Sequence, residues 1–481
     1  MKYIGLDIGT SSCKASIIDE CGTVSMSASR EYTLTHPAPG FVEIDPELVW
    51  KSVCDILREI APASKDTVSI AVSSIGETMV LLDKFDRPIV NGIVYLDNRC
   101  QSEIADIMEK IGERELFEIT LVPMNQMFSL SKLIWYRKHS PKVLEHTSKI
   151  CLFGDFISYK LCGETATDPA TASRTMFFDA VRLAWSDRIA SLFQIPVPKI
   201  PKIVPSGTCL GQLLPSVAKE TGLSEKLRVL CGAHDQAVAT LGSGSIREGM
   251  MTLGEGTSES LNLLLHRKKI NLATFQKGIA FEPFVDKDLY IMTIGHNAHG
   301  ICVQWFNELF KTDSTHNEPS YGCPDDLFFL PFLAKTSVSE PTNISPACFI
   351  GLGLTTNQSR LYSAILEGLS FESRVLLNTL QNFGGFIHEI RATGGGSRSD
   401  TLMKLKANIL NQAITTQRYK DAGILGLCMI GAVSNGEYNS YAEAAANMIQ
   451  SSKTFLPDRS YDQKFERYRE IRTMVGKLFR A

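Results

Sequence analysis

The chain has no C-x-x-C pair. Its 12 cysteines are scattered singly, which argues against a disulfide framework or a zinc site and for reduced thiols in the cytoplasm. It has no run of about 20 apolar residues, the length a membrane helix needs. The opening MKYIGLDIG reaches an Asp and a Gly before any apolar stretch of leader length, so no signal peptide or membrane segment is expected there. Charge of one sign is also scarce. A formal net charge of −3 over 481 residues lacks the basic excess of a nucleic-acid surface. Apolar residues are not lacking. A hydrophobic content of 44% is that of an ordinary globular chain, and this length supports about two to four domains with sizeable cores.

The most informative stretch is Arg228 to Gly244, RVLCGAHDQAVATLGSG. Val229, Leu230 and Cys231 predict the end of a buried strand, Gly232 a tight turn, and Ala237 to Leu241 an apolar helix. Asp235 lies between them, flanked by His234 and Gln236. In open α/β sheets ligands bind beyond the carboxyl ends of strands. An Asp there is a candidate general base or metal ligand. The competing reading is a helix N-cap, a position Asp favours.

The N-terminus predicts a β-hairpin. Tyr3 to Leu6 is a strand, Asp7 to Ser12 a polar turn, and Cys13 to Asp19 the return strand. Backbone N–H groups and the hydroxyls of Thr10 and Ser11 suit phosphate oxygens, and Asp7 beside them suits Mg²⁺. Lys14 adds positive charge. An ordinary hairpin turn has the same composition. Met250 to Leu253, the turn Gly254 to Ser258 with Thr257, and Glu259 to Leu265 repeat the pattern. One hairpin type opening each half suggests two domains of like fold.

Three further places carry polar groups at strand ends. Ser69 to Ser73 is a strand feeding Ser74-Ile75-Gly76-Glu77-Thr78, where Glu77 can hold substrate hydroxyls. A solvated turn residue is the plainer reading. Ile93 to Leu96 is a strand followed by Asp97. Later, Ile390 to Thr393 is a strand that meets Gly394, Gly395 and Gly396, then Ser399, then a helix with Leu402, Leu405 and Ile409 on one face. Strand, glycine run and helix bring a backbone close to a flat base or a phosphate. A dinucleotide fingerprint fits poorly: Ser399 stands at its third glycine, and Gln417-Arg418 lack the ribose-binding acid.

These pieces resemble the FGGY carbohydrate kinases, similar in fold to actin and hexokinase. The resemblance runs nearly end to end, through GLDIGTSSCK, GFVEIDPELVW, ETMVLLDKFDRPI, GDFISYKLCGETATDPATAS, GAHDQAVATLG, LFFLPF, FIGLGLTTNQSRLYSAILEGLSFESR and RATGGGSRSDTLMKLKANIL. It implies an α/β fold of two ribonuclease-H-like domains around a central cleft, residues 1–243 holding the sugar site and base and residues 244–481 the ATP site. It implies Asp235 as the base that deprotonates the acceptor and Asp7 as the acid that organises Mg²⁺. Thr10, Ser11 and Lys14 match the first phosphate loop, Thr257 the second, and Gly394 and Gly395 the adenosine loop, with Ser399 nearby. Glu77 falls where the family places a substrate contact, with Thr78, Asp97 and Gln236 as further contacts. ATP and Mg²⁺ are the implied cofactors, and a homodimer the implied assembly.

Departures bear on the substrate. The glycerol kinases carry an Arg before the Glu that matches Glu77, where this chain has Gly76, and the xylulose kinases carry a Met-His pair where it has Gly76-Glu77. The run from Lys335 to Pro346 lacks the family's G-E-R-x-P motif. The expected acceptor is therefore a small sugar or polyol, ketopentose- or tetritol-sized and xylulokinase-like in class. The alternatives are a nucleotide-driven conformational ATPase and a catalytically silent sugar sensor.

Overall fold

Strand β1, Lys2–Ile8, is apolar on both sides: Tyr3, Ile4, Leu6 and Ile8 are all buried. A strand sandwiched between two helical layers reads this way. The chain returns antiparallel as β2 (Ser12–Asp19), which sets Asp7 opposite Lys14. Asp19 closes the next turn. Its Oδ1 accepts from the backbone N–H groups of Cys21 and Thr23 at 3.0 and 2.8 Å, and β3 (Val24–Glu31) follows.

Helix Pro46–Ile60 has Pro46 in its first turn and the Asp45 carboxylate accepting from Glu47 and Leu48 N–H. It leads to β4 (Thr67–Ser74), parallel to β1. An edge strand, β5 (Cys209–Gln212), and β6 (Arg228–His234) complete a six-stranded sheet ordered β5-β6-β4-β1-β2-β3. One face packs against helices Pro46–Ile60 and Phe153–Cys162, through Val49, Val53, Leu57, Phe153 and Ile157. The other face carries helix Ala422–Ser434, which also packs on helix Asp235–Gly242.

The structure, a computed structural model, describes residues 1–311, 326–333 and 346–479. The Lys335 to Pro346 run lies outside the described residues but for Pro346. Contacts divide the chain into two compact units. Unit 1 holds Met1–Ile246, Phe281–Tyr290 and Asp421–Ile449; unit 2 holds Arg247–Ala280, Ile291–Lys420 and Gln450–Ala481. Among the described residues no helix is long and apolar enough to cross a membrane.

Unit 2 repeats the plan of unit 1. Strands β7 (Met250–Glu255) and β8 (Glu259–His266) form the hairpin, and β9 (Leu289–His296), β10 (Glu389–Thr393), β11 (Ile414–Gln417) and β12 (Ser451–Phe455) follow in sequence. Their order in the sheet is β9-β8-β7-β10-β11-β12. As in unit 1, the hairpin is antiparallel, the next two strands run parallel to its first strand, and an antiparallel strand closes that edge. Both units thus carry the ribonuclease-H-like sheet. The last helix, Asp462–Leu478, packs Phe465 and Tyr468 inward: the Phe371 ring lies 6.0 Å from that of Phe465 and 5.0 Å from that of Tyr468.

Two local expectations fail. The strand expected from Ile93 to Leu96 covers only Gly92–Ile93, and Tyr95 and Leu96 form a turn. Gly232 is not in a turn; β6 continues through it to His234. The glycine is there for space. A Cβ at residue 232 would sit 1.8 Å from the Val72 carbonyl oxygen of β4, where the register of the two strands slips between Leu230 and Ala233.

Candidate active site

In unit 1 the carboxyl ends of β1, β4 and β6 deliver the polar groups. Asp7 is the penultimate residue of β1, and its Oδ1 accepts from Ser73 Oγ of β4 at 2.6 Å. Burial pushes its carboxyl up to about 6, with Asp235 adding repulsion and Ser73 and Lys14 opposing the rise. The following turn is tied by Gly9 N–H to the Ser12 carbonyl at 2.9 Å and by Tyr32 O–H to the Gly9 carbonyl at 2.6 Å. Thr10 lies close enough to Tyr95 to act on its phenol, and Ser11 is exposed. Lys14 reaches Asp421, 3.2 Å away, at the start of helix Ala422–Ser434.

Asp235 is the first residue of its helix, and His234 holds the N-cap position without a side-chain cap bond. Asp235 is therefore not an N-cap. The site needs another account of its carboxylate, beyond the favourable field of a helix N-terminus. Oδ1 is buried and makes no hydrogen bond, while His234 Nε2 lies 3.1 Å away outside bonding geometry. The side chain as a whole remains 36% exposed. Burial raises the Asp235 carboxyl above its ordinary value; the His234 cation opposes this, and Glu77 and Glu282 add to it.

Glu77 is buried in the turn after β4. Its Oε1 accepts from Arg174 Nε and Nη2 at 2.9 and 2.6 Å, and its backbone carbonyl accepts from Lys132 Nζ at 2.8 Å. Burial alone would raise the Glu77 carboxyl, but Arg174 and His234 hold it below the usual carboxylate range. Lys132 is buried too, and desolvation brings its ammonium down to about 8. Gly76 makes the room: a Cβ there would meet Arg174 Cγ at 2.5 Å and His234 Cδ2 at 2.7 Å.

The remaining unit 1 candidates lie differently. Thr78 is fully buried and its hydroxyl has no hydrogen-bond partner. Asp97 has both oxygens committed to protein donors: Val42 N–H at 2.5 Å and the Arg99 guanidinium at 2.7–3.0 Å. Gln236 is the partly buried second residue of the Asp235 helix. The structure thus brings Asp7, Glu77 and Asp235 into one electrostatic group. Asp97 stands apart, around Arg99.

Unit 2 assembles the other set. Thr257 sits at the exposed tip of the β7–β8 hairpin, and its carbonyl accepts from Ile301 N–H at 3.3 Å. Gly394 has φ +88 and lies against the hairpin: a Cβ there would be 2.5 Å from the Glu255 carbonyl. Gly395 follows, and the Ser399 hydroxyl caps helix Asp400–Leu410 by accepting from Leu402 N–H at 3.2 Å. A crevice of about 260 Å³ beside this run is lined by Gly394, Ser397, Arg398, Thr416, Arg418 and Lys420, among others.

Beneath the hairpin lies a buried charged cluster. Lys406 of helix Asp400–Leu410 is fully buried and its ammonium contacts Glu255, Glu259, Ser373 and His299. Burial raises Glu255, with Glu259 adding repulsion; in Glu259 the Lys406 cation overcomes burial and holds the carboxyl low. Glu255, Glu259 and His299 have metal-ligand spacing, but the ammonium already sits on both carboxylates.

Several of these residues were missed in the sequence. Arg174 and Glu282 pair with residues 97 and 48 positions away, and no local pattern signals that. Lys406 left a trace: it falls four residues after Leu402, on the apolar face of its helix.

Comparison with known proteins agrees with the fold. The N-terminal domain of the FGGY family of carbohydrate kinases matches residues 2–242, and its C-terminal domain matches residues 255–435. The chain is 27% identical to a xylulose kinase of Bacillus subtilis, over 99% of this chain and 98% of that protein. It is 27% identical to a glycerol kinase of Bordetella parapertussis, over 98% and 96%. Among solved structures, a xylulose kinase from Rhodospirillum rubrum superposes with a TM-score of 0.90 at 24% identity, over 100% of both chains.

Proposed function

Because the chain belongs to the FGGY family of carbohydrate kinases, we propose that it transfers the terminal phosphoryl group of ATP to a hydroxyl of a small sugar or polyol, with Asp235 as the general base. The observation that carries this is the state of Asp235: a carboxylate at a strand–helix junction, pushed above its ordinary value by burial, with part of its side chain still accessible. A base of raised basicity suits a hydroxyl acceptor. The acceptor is ketopentose- or tetritol-sized. Glu77, Thr78 and Gln236 are its contacts, and Asp97 shapes its surroundings through Arg99. The acceptor and base lie on residues 1–243 and the nucleotide on residues 244–481.

Each residue has a share in the chemistry. Asp235 accepts the hydroxyl proton as the oxygen attacks phosphorus. Backbone N–H groups and hydroxyls at Thr10, Ser11 and Thr257 receive phosphate oxygens, and Lys14 offsets their charge. Gly394, Gly395 and Ser399 let the backbone approach the adenosine. Little covalent work falls to the protein; positioning and charge compensation supply the rate. Asp7 fits Mg²⁺, an oxygen-seeking ion: its carboxylate is an oxygen donor fixed by Ser73 with no cation bonded to it among the described residues. Bound there, Mg²⁺ would neutralise charge on the transferred phosphoryl group. The same reading makes the enzyme a cytoplasmic homodimer, supported for the compartment by 11 free cysteines among the described residues and for the dimer by family resemblance.

The test is ADP release with Mg²⁺ and ATP against glycerol, tetritols, pentitols, ketopentoses and ketohexoses, for wild type and Asp235→Asn. One acceptor should stimulate the wild type strongly, and the variant should turn over about 10²–10⁴-fold more slowly with ATP binding kept. Equal turnover in the variant removes Asp235 as base. ATP hydrolysis that no acceptor stimulates points instead to a conformational ATPase.

A further inference from the structure

His234 stands between two carboxylates. Its Nδ1 is 2.9–3.0 Å from the Glu282 oxygens, and its Nε2 is 3.1 Å from Asp235 Oδ1. His234 and Glu282 are 5% and 2% exposed, so the contact between them is shielded from water. We infer that the His234–Glu282 pair is the positioning device of the phosphoryl-transfer base: it holds Oδ1 of Asp235 and leaves the other carboxylate oxygen for the acceptor hydroxyl. This rests on Asp235 being the base.

Charge arithmetic explains why two residues are needed. A lone imidazolium against Asp235 would fix it but also lower its basicity. A lone neutral imidazole would hold it weakly. With Glu282 on its far side, the imidazolium is already compensated, so the pair is neutral as a unit. Asp235 keeps a raised proton affinity and gains a fixed ion-pair contact, 3.1 Å from its Oδ1. When Asp235 takes the acceptor proton, the pair stays neutral and no charge is stranded in the interior.

The groups facing this chain of contacts are few. Arg174 and Glu77 neutralise each other beside it, and Asp7 lies across from Asp235. Burial alone would lower His234, but Glu282 and Asp235 outweigh burial and bring it up to about 9. A carboxylate beside each ring nitrogen favours the imidazolium at neutral pH. Gly76 permits the arrangement, since a side chain there would strike both His234 and Arg174.

The experiment is a pH profile of kcat and of acceptor kcat/KM from pH 6 to pH 10 for wild type, Glu282→Gln, Glu282→Asp, His234→Gln and Asp235→Asn. The wild type should lose activity as pH rises through about 9, where His234 gives up its proton. Glu282→Gln should bring that alkaline limb down by about one pH unit or more, because the partner that raised His234 is gone. Glu282→Asp should restore most of it. His234→Gln should have no such limb, and kcat about 10–100-fold lower, with the KM for ATP unchanged. A misfolded variant would change ATP binding and thermal melting together, and the Glu282→Asp arm tests the charge without removing it. An alkaline limb that stays in place in Glu282→Gln, or a wild-type kcat in His234→Gln, overturns the inference while Asp235 remains the base. Full turnover in Asp235→Asn overturns the base assignment itself.

Discussion

Arg174 closes two nitrogens on a single oxygen of Glu77, at 2.9 and 2.6 Å, across 97 residues of sequence. The pair is nearly dry, with 12% and 7% of the two side chains exposed. The Cβ and Cγ of Arg174 fill space next to Gly76 that any other residue there would occupy. The chain thus keeps a positive group beside Glu77, although residue 76 itself carries none.

Breaking that pair from one side should be costly. Arg174→Met leaves a buried carboxylate alone and should destabilise the protein by about 3 kcal/mol in urea titrations. It should also raise the acceptor KM. Glu77→Gln in the Arg174→Met background should recover much of the stability and none of the acceptor affinity. Because the folded Glu77 carboxyl is held low, its stabilisation is full above its unfolded value near 4.5 and fades as pH falls through the folded value. The wild-type advantage over Arg174→Met should therefore shrink in acid.

Asp7 works in the opposite sense. Its folded carboxyl is raised to about 6 from 3.8, so ionised Asp7 costs the fold stability above pH 6, and that cost vanishes below pH 3.8. Asp7→Asn should raise metal-free stability at pH 7.5 by about 1–2 kcal/mol, allowing for partial solvation. The gain should disappear near pH 4. The same variant should lose the wild-type response of turnover to Mg²⁺. Melting curves without Mg²⁺ and a Mg²⁺ titration of ADP release check the two halves; an unchanged titration removes Asp7 from the metal's surroundings.

Lys406 should be indispensable to unit 2. Lys406→Met strands Glu255 and Glu259 in the interior and should destabilise by about 3–5 kcal/mol. ATP binding should fall with it, since the β7–β8 hairpin and the glycine run both rest on Glu255. A triple change, Lys406→Met with Glu255→Gln and Glu259→Gln, should regain stability measurably. A neutral result for Lys406→Met alone would show that the carboxylates find protons or another cation.

Gly232→Ala forces a methyl group against the Val72 carbonyl, 1.8 Å from the ideal Cβ. The strands must part, at a cost of about 2 kcal/mol or more. Gly384→Ala is the comparison: its φ is +96 but nothing lies within 4 Å, so only backbone strain of about 1 kcal/mol applies. Denaturant midpoints of the two variants should rank in that order.

Gly232 also marks where reading the chain stops. A glycine before an Asp and an apolar helix has the local signature of a turn, and only the neighbouring strand reveals that it is a close contact. Both hairpins were legible because alternating apolar residues and G-T-S turns are local signals. The strand–helix junction at Asp235 was legible for the same reason. The pairings of Arg174 with Glu77, Glu282 with His234 and Lys406 with the hairpin glutamates were not, because each joins segments tens of residues apart. The commitment of Asp97 to Arg99 was likewise hidden, because the sequence shows two neighbouring charges and not their burial.

Helix Ala422–Ser434 lies backbone to backbone on the helix that Asp235 begins: a Cβ at Gly242 would be 1.7 Å from the Ala422 carbonyl, and one at Gly426 would be 2.1 Å from the Val238 carbonyl. This segment belongs to unit 1 although almost all of unit 2 precedes it in the chain. On the ribosome, the helix that Asp235 begins therefore gains this packing only after residues 422–434 have been made. A nascent chain arrested before residue 422 would expose the sheet face and the helix flank that this segment covers, and would call on chaperones. A chain that stops there lacks the cover of the helix that Asp235 begins.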